Sequence, residues 1–340
     1  MRLVHAADLH LDSPLRGLAR LGQSALADEL RAASRRACEN LVELVVSVGA
    51  DAVVLAGDVY DGDWRDYQTG AFFARQMSRL CDEHIPVFMI AGNHDAASEI
   101  SRSLRLPDNV TVLRTDAAQT VVDEGRGLAV HGQGFATRAV TENLVLQYPD
   151  RLPGLVNVGL LHSSVDGDPG HDVYAPCRPV DLEACRYEYF ALGHIHTRRT
   201  VCDGEYVAGF SGNLQGRHPR ETGAKGALVV NVEPGAQASV DFHELDAARW
   251  EKIRVDVSDS ADLDGVLDAV SDRLAAAASG ADGRVLVAQV TLMGTSRAVA
   301  DLLDVERLRA EIDLEAEKAG IVIEQVRNRV QAPNAGIVVD

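Results

Sequence analysis

The chain has 340 residues, of which 46% are hydrophobic and 25% are charged, and its formal net charge is -18 at pH 7. This composition excludes general disorder, and the negative charge excludes a protein whose main task is to coat nucleic acid electrostatically. No apolar run reaches the length of about 18 residues that a membrane span needs, and the five scattered cysteines lack the CxxC spacing of a zinc ribbon. We therefore expect a cytoplasmic protein with reduced thiols and no membrane association.

Strands and helices alternate in the first hundred residues. Residues 2–8 (RLVHAAD) form a predicted strand that ends in polar residues, and apolar residues at intervals of three and four between Leu26 and Val48 predict a helix that ends at Gly49. A strand, a helix and a strand continue the alternation over residues 51–57, 69–83 and 86–92. This order predicts a βαβαβ unit with a parallel sheet.

The rest of the chain contains two kinds of pattern. Further apolar runs predict closely spaced strands, at VTVL, GLAVHG, VNVGLLH, YFALGHIH and GALVVNV. We therefore expect an α/β fold with a two-layered β-sheet core flanked by helices, in a first domain over residues 1–245. Residues 248–335 read as strand, helix, strand, helix, strand, with one helix running from Leu302 to Ile312, and they predict a small C-terminal α/β domain.

Polar side chains follow the ends of five predicted strands. They are carboxylates, an amide and imidazoles, at Asp8, His10, Asp58, Asp61, Asn93, His94, Asp95, His162, His194 and His196. Because the carboxyl ends of strands in open α/β sheets converge on one crevice, these side chains would meet there. Oxygen and imidazole donors without thiols suit manganese, iron or zinc. Seven plausible ligands around a central aspartate suggest two ions about 3.5–4 Å apart.

Two local features fit such a site. We expect His194 and His196 to point the same way by alternation along a strand, so that each can serve one metal ion. Glycines precede three of the blocks, at Gly57, Gly92 and Gly193, where the missing Cβ would permit a sharp turn and a close approach of the backbone. Each block alone is also typical of an ordinary turn, but all of them together at strand ends favour a metal site.

The order Asp-x-His, Gly-Asp-x-x-Asp, Gly-Asn-His-Asp, His, Gly-His-x-His resembles the calcineurin-like metallophosphoesterase superfamily. The flanking segments HAADLHLDSPLRGL, AGDVYD, AGNHD and SGNLQGRHPRETGAKG are similar to those of DNA-repair exonucleases of the SbcD type, in their YhaO branch. This resemblance covers residues 1–245 and implies the metallophosphoesterase fold. The module that follows is similar to the family's capping domain only in position and pattern.

The resemblance also implies a role for each residue that matches a motif. One ion would be held by Asp8, His10 and His196 and the other by Asn93, His162 and His194, with Asp58 as the bridge. A metal-bound hydroxide would attack phosphorus, because the cations lower the pKa of water. His94 would contact the scissile phosphate and help the leaving oxygen depart, and Asp95 would orient the His94 ring and hold its charge. Asp61 would support the site without binding metal.

The activity implied by the resemblance is that of a hydrolase, a two-metal-dependent DNA exonuclease or phosphodiesterase acting in DNA repair. Mn²⁺ is the expected ion, with Fe²⁺ or Zn²⁺ as alternatives. DNA is the expected substrate and an SbcC-like ATPase the expected partner, while a homodimer is left open. Two other functions stay open, namely a phosphoesterase for nucleotides or phosphoproteins and a non-catalytic subunit of a repair complex.

The segment GNLQGRHPRETGAKG carries several basic residues soon after the HxH pair. A charged loop of this kind is often only solvated. The alternative is phosphate binding, because arginine offers a planar fork to phosphate oxygens and an acidic protein needs a local basic patch to hold DNA. We expect Arg217, with Arg220, to contact the substrate.

Overall fold

The computed structural model describes residues 1–13, 25–61, 67–97, 104–166 and 172–333, and the chain divides into two compact units. Unit 1 comprises Met1–Pro14, Arg31–Gln215 and Ala224–Asp246, and unit 2 comprises Leu15–Leu30, Gly216–Gly223 and Ala247–Asp340. Two described segments of unit 2, residues 25–30 and 216–223, therefore come from within the first predicted domain. No helix among the described residues is both long and apolar enough to cross a membrane.

Up to residue 246, the described part of the chain contains strands, α-helices and one 3-10 helix at Leu144–Gln147. The strands are β1 Arg2–Ala6, β2 Ala52–Leu55, β3 Val87–Met89, β4 Val110–Val112, β5 Gln119–Asp123, β6 Leu128–Gly132, β7 Val156–His162, β8 Tyr189–Gly193, β9 Arg199–Asp203, β10 Val207–Phe210, β11 Gly226–Asn231 and β12 Ser239–Glu244. The helices are α1 Ala25–Ser47, α2 Tyr67–Asp82, α3 Asn93–Ala97 and α4 Pro179–Cys185.

The strands of unit 1 form two six-stranded mixed sheets. The first has the order β12-β11-β1-β2-β3-β4, in which β1, β2, β3 and β4 are parallel. The second has the order β5-β6-β7-β8-β10-β9, with a parallel centre and antiparallel edge strands β5 and β9. The predicted βαβαβ start and the predicted α/β fold are confirmed.

Alternation along the strands separates two apolar layers. In β1, Leu3 belongs to the cluster between the two sheets, which it shares with Val158 of β7, whereas Val4 belongs to the cluster on the helical side of the first sheet. Helix α2 contributes Phe73 and Met77 to the helical side, because residues four apart lie on one helix face. Burial of each such side chain contributes about 1.5–3 kcal/mol. The core is therefore two sheet layers flanked by helices, as the sequence predicted.

Unit 2 contains a three-stranded parallel sheet with helices between its strands. Its elements are β13 Ala248–Asp256, α5 Leu263–Ser279, β14 Val285–Thr295, a 3-10 helix Arg297–Leu303, α6 Val305–Lys318 and β15 Ile321–Gln331, with the sheet order β13-β14-β15. The prediction of one helix from Leu302 to Ile312 is wrong. The chain leaves helical geometry at Asp304 (ψ 88°), whose carboxylate accepts the Arg307 backbone N–H and so starts α6 afresh.

Candidate metal centre

Polar side chains from five strand ends of unit 1 come together, as the sequence predicted for strands of one crevice. Neighbouring loops are tied by their backbones, since the N–H groups of Asp8 and His10 donate to the carbonyls of Gly57 and Asp58, each at 3.0 Å. Three groups of side chains have ligand atoms within 4.8 Å of one another, namely Asp8 with His10 and His196, His10 with Asp58 and His94, and Asp8 with Asp58 and His162. Asp58 thus joins two of the three groups.

The Nε2 atoms of three histidines face the two aspartates. Nε2 of His162 lies 3.4 Å from Asp58 Oδ2, and Nε2 of His10 lies 3.8 Å from the same oxygen. Nε2 of His196 lies 4.0 Å from Asp8 Oδ1 and 3.2 Å from His10 Nε2. Asp8 and Asp58 are only 1% and 2% exposed. The two carboxylates and the three imidazoles near them are therefore largely shielded from solvent.

The backbone at this site is held in an uncommon conformation. Asp8, His10, Asp58 and His194 have φ angles of 52°, 41°, 55° and 98°, in the left-handed region that residues other than glycine seldom occupy. Each such residue costs of order 1–3 kcal/mol and persists only where its surroundings enforce it. Strain at four residues of one cluster is typical of a functional site.

Close packing at the site requires all three glycines, since a Cβ on Gly193 would lie 2.0 Å from the Ala56 carbonyl oxygen. A Cβ on Gly92 would lie 2.2 Å from Asp58 Oδ1, and a Cβ on Gly57 would lie 2.6 Å from His162 Nδ1. Gly57 also has a φ of 93°, which side chains disfavour. The glycine before each block therefore lets one loop lie directly against the ligand residue of another.

The electrostatics of the site favour positive charge beside Asp58. Burial opposes ionisation of Asp58, but the neighbouring His162 holds the pKa of this carboxyl down at about 2. Burial likewise disfavours the charged form of His162, but Asp58 raises the pKa of the imidazole to about 9. Burial also raises the pKa of Asp8. Carboxylates this deeply buried need a compensating cation.

The hydrogen bonds of His162 indicate that the compensating cation is a metal ion. Nδ1 of His162 lies 2.9 Å from the Ala56 carbonyl, which can only accept, so Nδ1 carries the proton and donates it. When the ring gives up its second proton in competition with a metal ion, the lone pair is on Nε2, which lies 2.9 Å from Asn93 Oδ1 and 3.4 Å from Asp58 Oδ2. His162 Nε2, Asn93 Oδ1 and Asp58 Oδ2 are three acceptor atoms that converge, and such a group suits a metal ion. In metal-binding histidines, the ring nitrogen that does not bind the metal commonly donates to a backbone carbonyl, as Nδ1 of His162 does. The residues therefore fit divalent cations.

His194 and His196 reach the cluster differently from the prediction. The argument from strand alternation is wrong, because β8 ends at Gly193 and the chain turns at His194. The His194 ring lies 5.3 Å from the His162 ring, and its Nε2 contacts the Asp172 carbonyl at 2.9 Å, whereas the His196 ring lies 5.0 Å from that of His10. Because of the turn, the two histidines face different members of the cluster.

His94 is paired with an acid other than the one that the resemblance implied. Its Nδ1 lies 2.8 Å from Asp61 Oδ1, and the other carboxylate oxygen of Asp61 accepts a hydrogen bond from Ser13 Oγ at 2.6 Å. The His94 backbone N–H donates to Asp58 Oδ1 at 2.9 Å, which places the ring at the edge of the cluster with 27% of its side chain exposed. The sequence signal for Asp61 was its place at the end of the GDVYD block.

Asp95, predicted to orient the His94 ring, has a different task in the structure. Its carboxylate is 4% exposed and accepts the backbone N–H groups of Val59, Tyr60 and Gly92 at 3.3, 3.0 and 3.0 Å. Burial, together with the charge of Asp58, raises the pKa of Asp95 to about 6. Asp95 therefore joins the loops after β2 and β3, and the prediction for it is corrected.

The two arginines predicted to bind substrate belong to unit 2. The Arg217 backbone N–H donates to Glu221 Oε2 at 2.6 Å, and Arg220 is exposed. Their contact with substrate stays a prediction.

Comparisons with known proteins cover both parts of the chain. A family model described as calcineurin-like phosphoesterase matches residues 1–198, and one described as metallophosphoesterase YhaO, middle domain, matches residues 250–331. The uncharacterized metallophosphoesterase YhaO of Bacillus subtilis (strain 168) is 32% identical over 275 residues, which are 80% of this chain and 67% of the relative.

More distant relatives carry names from DNA metabolism. The SbcD component of the nuclease SbcCD from Bacillus subtilis (strain 168) is 26% identical over 70% of this chain and 68% of its own. The DNA double-strand break repair protein Mre11 of Methanocaldococcus jannaschii is 22% identical over 64% of this chain and 61% of its own. Among solved structures, a dimetal phosphatase from Danio rerio matches with a TM-score of 0.43 and 11% identity, over 71% of this chain and 98% of that one.

Proposed function

Since this chain belongs to the calcineurin-like phosphoesterase family, we propose that it is a metal-dependent DNA exonuclease that acts in DNA repair. The observation that carries the proposal is the buried cluster in which Asp58 joins two groups of candidate ligands beside the partly exposed His94. The choice of DNA is supported by relatives named as part of a nuclease and as a double-strand break repair protein.

We propose that the cluster holds two divalent cations, with Mn²⁺ as the first choice and Fe²⁺ or Zn²⁺ as alternatives. The residues that would hold them are Asp8, His10 and His196 on one side and Asn93, His162 and His194 on the other, with Asp58 between. When bound, such ions lower the pKa of water and withdraw charge from phosphoryl oxygens. The chain's own part is to hold these donors in place through strained loops and buried hydrogen bonds.

His94 and Asp61 would act on the leaving group. The contact between His94 Nδ1 and Asp61 Oδ1 fixes the ring plane, and the negative charge of Asp61 stabilises the protonated imidazole. The opposite ring nitrogen, Nε2, would then donate its proton to the 3′ oxygen as the phosphodiester bond breaks, so that nucleoside 5′-monophosphates are released. The His94 side chain is 27% exposed, so a substrate can reach the ring.

A substrate panel tests the proposal. Purified protein with Mn²⁺ is given end-labelled single-stranded DNA, duplex DNA with blunt ends, bis-p-nitrophenyl phosphate and p-nitrophenyl phosphate. We expect DNA and the diester to be hydrolysed, EDTA to stop the reaction, and His94→Ala to lower kcat by about 10²–10⁴-fold. His84→Asn is the control, because His84 is an exposed histidine with a positive φ that asparagine tolerates.

Three results would contradict this function. Hydrolysis of p-nitrophenyl phosphate alone would indicate a monoesterase for nucleotides or phosphoproteins. DNA degradation that survives His94→Ala would remove the catalytic role of this residue, and complete inactivity of the loaded protein would favour a non-catalytic subunit.

We also propose an SbcC-like ATPase as partner and the cytoplasm as the place of action. The first is supported by the relative's name, which makes it one component of the SbcCD nuclease. The second is supported by five free cysteines, three of them buried. Light scattering of the purified chain, alone and mixed with an SbcC-like ATPase, tests the complex and decides whether the chain forms a homodimer.

A further inference from the structure

The sheet of unit 2 has one apolar face and one polar face. Its apolar face packs with α5 and α6, as Ile253 and Val290 share a cluster with Val266 and Ile312. Residues that alternate with the packed ones towards the ends of the strands are exposed. Parallel sheets are usually covered on both faces, so a polar face of this kind is unusual and suggests a partner.

Four exposed side chains of this face are cationic and one is acidic, namely Asp256, whose Oδ1 accepts hydrogen bonds from Ser258. Lys252 and Arg254 lie on β13, and Arg327 and Arg329 lie on β15. The strand register places Arg254 and Arg327 on opposite sides of Thr291 in β14. With neighbouring strands about 4.8 Å apart, the two cationic rows are roughly 10 Å apart.

A groove of ≈ 580 Å³ at this face adds a fifth cation. Its lining includes Arg220, Lys252 and Arg327. The acid in the groove is engaged by a neutral group, because Gln289 Nε2 donates to Glu324 Oε2 at 2.9 Å. The sequence predicts Arg220 as a phosphate contact, and the structure places it beside two further cations of its own unit.

The cations of unit 2 differ in whether they form ion pairs. On the helices and turns, Arg284, Arg307, Arg309 and Lys318 each form an ion pair with a nearby carboxylate. Among the described residues, Arg220, Lys252, Arg254, Arg327 and Arg329 form none. Within the part of the chain that the structure describes, Arg273 of α5 and Arg297 of the 3-10 helix are also exposed and form none, but they lie outside this face of the sheet. In a chain of net charge -18, a set of five exposed cations without ion pairs is a local exception.

We infer that this face of unit 2, defined by Arg220, Lys252, Arg254, Arg327 and Arg329, binds the phosphodiester backbone of DNA, an inference that rests on the proposed function. Charge complementarity supports a polyanion, since the chain as a whole repels one and needs a local patch to hold it. Arginine, which provides four of the five cations, offers phosphate a two-pronged donor. The exposed residues of β13 and β15 include no aromatic side chain that could stack on a base, so the contacts would be independent of sequence.

The test removes two of the cations from opposite rows. Arg254→Gln/Arg327→Gln is compared with wild type by fluorescence anisotropy on labelled duplex and single-stranded DNA, in EDTA, from 50 to 200 mM salt. We expect an affinity about tenfold lower and a slope of log K against log salt that is smaller by about 1.8 for duplex DNA and 1.4 for single strands. The control is Arg307→Gln/Lys318→Gln, which removes the same charge from α6.

The outcomes separate the surface from the proposed function. Wild-type affinity in Arg254→Gln/Arg327→Gln would overturn the inference. An equal loss in both double variants would also overturn it, because only overall charge would then matter. Tight binding of poly-glutamate but not of DNA would also overturn it in favour of an acidic protein segment. Failure of the wild type to degrade DNA with Mn²⁺ tells against the proposed function alone, since binding is measured without metal. Thermal unfolding of each variant confirms that it is folded.

Discussion

At the scale of single residues, Asp61 and Asp95 show how two acids near one histidine can have different tasks. Asp61 contacts the His94 ring and is 19% exposed, whereas Asp95 is buried among backbone N–H groups. A carboxylate beside an imidazole affects the protonation of the ring, while a carboxylate beside backbone donors affects the stability of the loops. Substitution of each acid should therefore affect a different measurement.

We expect Asp61→Asn to lower kcat for bis-p-nitrophenyl phosphate by about 10–100-fold, because the amide keeps a hydrogen-bond acceptor but loses the charge that stabilises the ring. The free energy of unfolding should stay within about 0.5 kcal/mol of wild type. Asp95→Asn is the matched comparison and should lower the free energy of unfolding by about 1–3 kcal/mol, because an amide cannot satisfy three N–H donors. Steady-state kinetics and urea denaturation measure both variants. An Asp61→Asn enzyme with wild-type kcat would contradict the role of Asp61.

His5 provides a prediction about pH at a position apart from the metal cluster. Its side chain is fully buried, its Nδ1 lies 2.8 Å from the Tyr189 hydroxyl, and burial lowers its pKa to about 3. The unfolded chain takes up a proton on His5 below about pH 6.5 while the folded chain does not. Stability is therefore lost as the pH falls from 6.5 towards 3.

Wild type should lose about 1.4 kcal/mol more per pH unit than His5→Gln between pH 6 and pH 4, measured by urea denaturation in EDTA. His84→Asn, at an exposed histidine with a positive φ, is the control for the removal of an imidazole. Identical slopes for wild type and His5→Gln would show that the imidazole takes up its proton without unfolding.

At the scale of elements, the close contact of two strand-end loops makes Gly92 sensitive to the smallest side chain. In Gly92→Ala, the new Cβ would lie 2.2 Å from Asp58 Oδ1 and 2.7 Å from the Asp58 backbone nitrogen, so one loop has to move. We expect an affinity for Mn²⁺ about 10–100-fold lower and an unfolding free energy about 1–3 kcal/mol lower. Isothermal titration and urea denaturation measure these changes.

Gly125→Ala is the control for that substitution. Gly125 lies between β5 and β6, and the nearest atom to a Cβ there is 3.4 Å away. Its replacement should leave Mn²⁺ affinity unchanged. If Gly92→Ala bound Mn²⁺ with the same affinity as Gly125→Ala, the loops after β2 and β3 could move apart without disturbing the metal site.

The sequence predicted the elements that have a strong apolar pattern and left out those that do not. The parallel strands β1, β2 and β3 of the first sheet are largely buried and could be located from their apolar runs, whereas β9 and β12 are mostly exposed edge strands held by backbone pairing. The break at Asp304 and the turn at His194 depend on backbone angles that periodicity does not contain.

The residues that form the site could be predicted from the sequence, but the contacts between their side chains could not. Residue types at strand ends indicated which side chains would meet. Which acid contacts His94 depends on how the loop after β2 passes the loop after β3, and the distance of 2.8 Å to Asp61 is a tertiary fact. Because Asp95 is next to His94 in the sequence, it was predicted to contact the ring, but its carboxylate accepts backbone N–H groups instead.

At the scale of the whole molecule, metal binding and folding are coupled. The candidate ligands come from five separate strand ends, so the site exists only in the folded state, and an ion that binds there stabilises that state. At a free Mn²⁺ concentration of 100 times Kd, we expect a stabilisation of about 2.7 kcal/mol for each bound ion, which raises Tm by about 4 °C per ion.

Differential scanning calorimetry with Mn²⁺ and with EDTA checks this shift. His10→Ala/His162→Ala should abolish it, because each histidine belongs to a different candidate group. His84→Asn should keep it. An equal shift in the double variant would locate the stabilising ion elsewhere.

The long sequence separation within the cluster also has a consequence for protein synthesis. His10 and His196, whose ring nitrogens lie 3.2 Å apart, are separated by 186 positions. A ribosome makes the chain from its N-terminus at about 5–20 residues per second, and a nascent chain that stops before residue 196 lacks part of the cluster. A fragment released early in translation would therefore lack the complete set of candidate ligands, even if its N-terminal strands have already formed.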